Sequence, residues 1–340
     1  MRTAVLICPG RGTYGKAELG TLARSFPDPA LLLKMNTARA ALGQETLSAL
    51  DAADTFSVAR HTRGDNASAL IYACTLGDFL SLKDVELVAV TGNSMGWYSA
   101  LACAGALSAM DGFNVVNTMG TLMQEHLIGG QLIHPFMAED WRPDPRRKAE
   151  LLALVETIAA RAEHQLALSI DLGGMLVLAG NEAGLQGFES AVPQTQGRFP
   201  MRLPNHAAFH TSLQAPVAAL ARARLTAESF VQPKLPLIDG RGHIWWPAST
   251  DLAALHDYTF GHQVTEAYTF SRAVTHAARE FAPDVFIIPG PGTTLGGVVA
   301  QSLILADWRG IGSKSEFQSL QQHQPLLVSM GLPDQRATVT

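Results

Sequence analysis

Apolar residues fall into two regimes along the chain. Short near-continuous runs, "AVLIC" at 4–8, "VELVAV" at 85–90 and "VFII" at 285–288, show no polar alternation. That is the pattern of parallel strands buried on both faces. Each is stopped by glycine or proline: Pro9–Gly10, Gly92, Pro289–Gly290. Between them lie longer stretches with helical spacing, "ALLLKMNTARAAL", "NASALIYACTLGDFLSL", "WYSALACAGAL" and "GFNVVNTMGTLMQEHLIGG", the last expected to end at Gly129 and Gly130. Strands alternating with helices predict an α/β fold around a parallel sheet.

The pattern changes after residue 130. "DWRPDPRRK" reads as a Pro-rich loop, and "AELLALVETIAARAEHQ" as an amphipathic helix. "LALSIDLGGMLVLAG" reads as two strands joined at Gly173 and Gly174, "EAGLQGFESAV" as a helix and "RFPMRLP" as a strand. This predicts a small α+β subdomain over 131–202 inserted into a large domain formed by 1–130 and 203–340. The helices "SLQAPVAALARARL" and "YTFSRAVTHAAREF" follow, then the 285–288 strand, the turn "PGPGTTLGG" and a closing helix.

The chemistry centres on "TGNSMGWYS" at 91–99, where Ser94 sits in a Gly-x-Ser-x-Gly turn between a buried strand and a helix. A serine hydroxyl needs a base within hydrogen-bond reach and donors for the oxyanion that forms. Glycines at 92 and 96 let the backbone pack tightly, and a helix starting after Ser94 points free N–H groups at the site. A plain tight turn is the alternative reading. Among eleven histidines, His206 and His210 stand out in "LPNHAAFHTSLQAP". On a helix, residues four apart share a face, which raises a metal reading; no third ligand lies at metal spacing, so no metal site is expected.

Four ordered segments resemble the malonyl-CoA:acyl-carrier-protein transacylases and the acyltransferase domains of polyketide synthases. "CPGRGTYG" is similar to the family's N-terminal Pro-Gly-Gln-Gly-Ser loop. "GNSMGWYSAL" is similar to its Gly-His-Ser-x-Gly-Glu-Tyr-Ser-Ala-Leu elbow. "AAFHTSLQAP" is similar to its Ala-Phe-His-Ser segment, and "HQVTEAYTFSRAV" with "IIPGPGTTLGG" to its C-terminal Gln segment and Gly-Pro-Gly turn. The resemblance spans nearly the whole chain. It implies a large α/β hydrolase-like domain with a ferredoxin-like insert. It makes Ser94 the acylated nucleophile and His210 its base, with the main-chain carbonyl of Gln263 holding the other ring nitrogen and no aspartate required. The amides of Met95 and Arg11 become the oxyanion donors. The implied substrates are an acyl-CoA and the phosphopantetheine thiol of an acyl carrier protein, with no permanently bound cofactor.

The chain departs from the family around the acyl pocket. Met119 stands where the family carries a carboxylate-binding Arg, Ala67 replaces a pocket Gln, Asn93 the His before the nucleophile, and Trp97 a Glu after it. A malonyl carboxylate against Met119 lacks a bidentate partner, which costs at least about 10²-fold in selectivity. An uncharged acyl group is therefore expected, unless Met119 is merely core. Arg11 replaces a Gln; a salt bridge or a solvent-facing side chain is expected, with reach into the pocket as the alternative.

Bulk properties narrow the partners. The chain has 340 residues, 47% hydrophobic and 16% charged, too apolar for disorder. Net charge is −5, and the densest basic cluster, Arg142, Arg146, Arg147 and Lys148, is short and Pro-broken. Nucleic acid is not an expected partner, and the cluster reads as a solvated loop or a patch for an acidic partner. Cys8, Cys74 and Cys103 sit in apolar stretches with no paired spacing, which predicts reduced thiols and a cytoplasmic protein. The first apolar run is too short for a signal peptide, and no run reaches membrane-spanning length. Three other readings keep the same residues or abandon them: a hydrolase clearing acyl groups from carrier proteins with Ser94 and His210, a non-catalytic carrier-protein docking subunit, and an unrelated esterase. The last requires a late histidine, and only His323 lies there, in polar "LQQHQP".

Overall fold

The computed structural model describes residues 1–340. Ten strands run in chain order as β1 (Arg2–Cys8), β2 (Val85–Gly92), β3 (Gly130–Pro135), β4 (Leu166–Leu172), β5 (Met175–Gly180), β6 (Met201–Arg202), β7 (Leu237–Ile238), β8 (Ile244–Trp245), β9 (Val285–Ile288) and β10 (Leu327–Ser329). They form two sheets, one ordered β10-β9-β1-β2-β7-β8 and the other β4-β5-β3-β6. In the first, every pair is parallel except β7 with β8. The second is antiparallel throughout.

The large sheet is built from the unalternated runs. Ala4 to Cys8 and Phe286 to Ile287 have no exposed surface, because helices cover both faces. The helix Gly64–Ser81 is buried from Asn66 to Asp78 and apolar all round, so it behaves as a core helix. The helix Phe270–Phe281 is strongly one-sided, its Ala273, Val274, Ala277 and Ala278 inward. Both β1 and β2 end at the same level, with Cys8 paired to Gly92. Two loops therefore meet there: the one after β1, carrying Arg11, and the one after β2, carrying Ser94.

The small sheet has the chain order strand–helix–strand–strand–helix–strand, with β3 between β5 and β6, which is a ferredoxin-like arrangement. Its two-residue period divides the side chains. Leu132, His134, Leu176 and Leu178 are fully buried on one side, where His134 meets Phe188 of the helix Glu182–Ala191 edge-on at 5.6 Å. Ile133, Met175 and Val177 face the cleft above Ser94.

Three expectations change. The helix before the insert is Ala109–Glu125, ending four residues before Gly129; His126 caps it and Gly130 already begins β3. The Pro-rich loop gives way to a helix at Pro145, because Asp144 accepts from the Arg147 amide and Pro is tolerated in a first turn. Arg146, Arg147 and Lys148 are thus helical, and each of the four basic side chains is paired with an acid: Arg142 with Asp140, Arg146 and Arg147 with Glu150, Lys148 with Asp171. Each cation has an acidic partner, with Arg146 and Arg147 sharing Glu150, so the cluster offers no unpaired basic patch. "RFPMRLP" contributes only the two residues of β6.

Candidate active site

Ser94 sits at a sharp corner. β2 ends at Gly92, and the helix Gly96–Cys103 starts two residues after the serine. Ser94 adopts φ +54°, in the left-handed region that disfavours side chains. The corner closes only with glycine on both sides. A Cβ on Gly92 would lie 2.2 Å from the Gly96 carbonyl oxygen, and one on Gly96 would lie 2.2 Å from that of Cys8. Asn93 donates its amide to the Cys8 carbonyl at 2.9 Å, and the Tyr268 hydroxyl donates to the Gly92 carbonyl at 2.5 Å, pinning the strand end from two sides.

His210 reaches the corner from the 203–210 loop, itself at φ +57°. Its Nε2 lies 2.7 Å from Ser94 Oγ, and its Nδ1 lies 2.6 Å from the Gln263 carbonyl oxygen. A carbonyl can only accept, so Nδ1 carries the proton and Nε2 is left as the acceptor for the serine hydroxyl. Burial pushes the His210 pKa down to about 4, opposed in part by the Gln263 carbonyl, so the ring is neutral at pH 7. Gln263 directly follows a π-helical turn, Tyr258–His262. Its side chain closes the network: Nε2 donates to the Ser94 carbonyl at 3.1 Å, and Oε1 accepts from the Tyr98 hydroxyl at 2.9 Å. Tyr98 was not singled out from the sequence. Its place on the elbow helix, four residues after Ser94, is the signal that marks it.

Neither the Met95 amide nor the Arg11 amide donates to a protein acceptor. His206 lies on the loop, not a helix, so its spacing to His210 carries no shared face; its Nδ1 pairs with Gln131 Oε1 at 2.8 Å. No cluster of three His, Cys, Asp or Glu side chains is placed to hold a metal ion.

Two cavities meet at Ser94. One is a chamber of about 20 Å³ reached past Met95, Tyr98, Met119, Met123 and Val264. The other is a cleft of about 360 Å³ between the large domain and the inserted sheet. Met119 lines the first. Ala67 and Asn93 line the second, so they do not belong with Met119 in one pocket. Trp97 lines neither. It is fully buried on the far side of the elbow helix, its Nε1 donating to Thr259 Oγ1 at 3.1 Å and its ring edge-on to Tyr258 at 5.3 Å. Its assignment to the pocket is corrected: the residue three after the nucleophile turns into the core.

Arg11 also departs from its expectation. It makes no ion pair and does not point into solvent. One Nη donates to the carbonyls of Thr62 at 2.8 Å and Asn205 at 3.0 Å, its guanidinium lies 5.6 Å from the Phe209 ring centre, and Nε is buried without a partner. It borders both cavities, and burial lowers its pKa to about 10, so it remains a cation at neutral pH.

The fold and this corner define an α/β protein of hydrolase-like architecture with a Ser–His pair under a ferredoxin-like insert. No protein-family model matches the chain. It is 22% identical over 307 residues to the malonyl CoA-acyl carrier protein transacylase of Salmonella typhimurium, covering 88% of this chain and 92% of that protein. Among solved structures it is similar to an acyl-carrier-protein S-malonyltransferase from Burkholderia pseudomallei, with TM-score 0.75, 21% identity and 99% of both chains covered. A malonyl-transacylase solved with a type II polyketide-synthase acyl-carrier protein gives TM-score 0.75 at 17% identity over 99% of this chain and 98% of that one. Over most of its length the chain is thus similar, at low identity, to malonyl-CoA:acyl-carrier-protein transacylases, and it shares their fold. No helix is long and apolar enough to cross a membrane.

Proposed function

We propose that this protein is an acyltransferase that moves an acyl group from an acyl-CoA to the phosphopantetheine thiol of an acyl carrier protein, in fatty-acid or polyketide-type biosynthesis in the cytoplasm. The observation that carries this reading is the unbroken line from Ser94 Oγ through His210 to the Gln263 carbonyl. His210 Nε2 takes the Ser94 proton as Oγ attacks the thioester carbonyl. The oxyanion is met by the two undirected amides, Met95 and Arg11. The C–S bond breaks, the CoA thiolate takes the proton from His210, and an acyl-serine ester remains. In the second half His210 takes the proton of the carrier thiol, the thiolate attacks the ester carbonyl, and Ser94 Oγ leaves with that proton. The insert, which we bound at 131–202, supplies the outer wall of the cleft.

The acyl group on this reading is uncharged. Met119 offers a malonyl carboxylate no hydrogen-bond donor, and unpaired burial of that charge is costly. A second reading rests on Arg11: its guanidinium, which has no acidic partner and an unpartnered Nε, borders the same chamber, and a carboxylated acyl group supplies that partner. Intact-mass measurement after incubation with acetyl-CoA and with malonyl-CoA tests both. Acetyl loading that disappears in Ser94→Ala is expected; faster malonyl loading selects the second reading. With a carrier protein added, acyl-carrier product is expected. Release of free acid instead makes the protein a thioester hydrolase, and no adduct from any acyl-CoA leaves it a non-catalytic docking subunit.

A further inference from the structure

His210 hangs on a peptide that is held in a strained orientation, and one side chain of the inserted sheet holds it there. We infer that Ser169 of β4 is a positioning residue for the Ser94–His210 pair, its hydroxyl fixing the backbone of the base. This rests on the reading above that His210 is the base for Ser94. The plane of the peptide between Phe209 and His210 defines φ of His210. That angle is +57°, a left-handed conformation that residues with side chains leave when nothing opposes it. Ser169 Oγ donates to the Phe209 carbonyl at 2.8 Å. The His210 amide donates to no protein acceptor, so the Ser169 bond is the only hydrogen bond on that peptide.

The neighbours of Ser169 enforce the direction of that bond. A carbonyl only accepts, so the serine proton points at Phe209, and Oγ in turn accepts from Gln131 Nε2 at 2.7 Å. That turns Gln131 Oε1 toward His206 Nδ1, 2.8 Å away. Ser169 reaches the Phe209 carbonyl because β4 bulges at this point. Leu168 pairs with Leu178 and Ile170 with Val177, which leaves Ser169 as the extra residue. A bulge re-aims a side chain and releases the backbone from the ladder. The released Ser169 carbonyl accepts from the Tyr268 amide at 2.8 Å, and the Tyr268 hydroxyl pins the Gly92 carbonyl at the Ser94 corner. One residue thus grips both partners, the base through its side chain and the nucleophile through Tyr268. Ser169 has no exposed surface and borders neither cavity, so it acts on the chemistry only through these neighbours.

The test is Ser169→Ala, followed by single-turnover formation of acyl-Ser94 from acetyl-CoA across pH. The maximal rate is expected to fall by about tenfold or more. The acetyl-CoA concentration for half that rate is expected to stay within about threefold, because the residue touches the base and not the substrate. A loosened ring gains water, so the pH at which loading falls is expected to move up from about 4 toward 6.5. The proton on His210 Nδ1 gives a readout free of any acyl donor. Its downfield NMR signal, identified by its loss in His210→Ala, is expected to weaken or move upfield in Ser169→Ala. A role in packing alone lowers the unfolding temperature and moves none of these. A folded Ser169→Ala with wild-type rate, pH profile and signal therefore overturns the inference. If that variant does not fold, Ser169→Thr against Ser169→Val decides, since the two share a shape and differ in the hydroxyl, and equal rates overturn the inference. No acetyl group on the wild-type serine sinks the acyl-transfer reading instead, and the Nδ1 signal then still decides what Ser169 does.

Discussion

The main-chain carbonyl of Gln263 holds His210 Nδ1 at 2.6 Å, in the place where many serine enzymes use a carboxylate. A neutral carbonyl fixes the tautomer and the ring plane without adding negative charge. The side chain of the same residue fixes the nucleophile, through the Ser94 carbonyl. Gln263 thus couples base and nucleophile in one residue.

The two halves of that coupling separate by mutation. Gln263→Ala keeps the carbonyl and loses the bonds to Ser94 and Tyr98, so the loading rate is expected to fall by about tenfold. His210→Ala removes the base and is expected to cost about 10³-fold or more. Single-turnover loading followed by mass distinguishes them. Equal losses in the two variants would mean that the Gln263 side chain is part of the base itself.

The low pKa of His210 sets a pH profile. The base must be neutral to take the serine proton, and burial holds its pKa at about 4 against an ordinary 6.5. Loading is therefore expected to stay level from pH 8 down to about 5 and to fall only as pH approaches 4. The same shift acts on stability. The folded state disfavours the proton that the unfolded chain accepts, so this stability is present above pH 6.5 and is lost as pH falls through 4. Its size is on the order of 3 kcal/mol. Urea midpoints at pH 7.5 and pH 4.5, for the wild type and His210→Ala, check the sign: the variant is expected to lose less on acidification.

Much of this site was legible because it is written in contiguous motifs. Strands β1, β2 and β9 are unalternated apolar runs, and the Ser94 turn needs glycines that the sequence displays. His210 and Gln263 were found through segments that keep their spacing over a stretch of chain. The two- and three-residue strands β7, β8 and β10 show no period long enough to read. Side-chain direction is the least legible feature of the sequence. Trp97 and Met119 both depart from the family pattern, yet one turns into the core and the other into the chamber, and a helix position alone does not say which neighbour lies opposite. Arg11 makes neither the salt bridge nor the solvent contact expected of it, and borders both cavities, for a related reason. A lone arginine in a loop usually finds solvent or an acid, but here the backbone carbonyls of two distant loops, at 62 and 205, hold it inside.

His134 is a separate weak point, in the inserted sheet. It has no exposed surface, and neither ring nitrogen has a hydrogen-bond partner. Burial, with Arg147 nearby, lowers its pKa to about 4. An unsatisfied buried polar group costs about 1–3 kcal/mol, so His134→Leu is expected to stabilise the protein by about 1 kcal/mol at pH 7 and by more at pH 5. Thermal or urea unfolding at both pH values checks it. Destabilisation at both would mean that the ring's edge-on contact with Phe188 outweighs the unpaired nitrogens.

Arg11→Gln decides what the buried guanidinium is for. Its bonds to Thr62 and Asn205 tie the loop before the Gly64–Ser81 helix to the loop that carries His210, and Asn205 Nδ2 adds a 2.7 Å bond to Thr62 Oγ1. Loss of this tie loosens His210, which affects every acyl donor alike. If the tie is its whole role, acetyl and malonyl loading are expected to fall together, their ratio constant within about threefold. If instead Nε and the free Nη clasp a carboxylate, malonyl loading falls selectively, by about 10²-fold, because a buried bidentate charge pair has been removed. The ratio is the readout, since a change in fold or in the position of His210 moves both rates in common. With Met119 lining the same chamber of about 20 Å³, the constant ratio is the expected result.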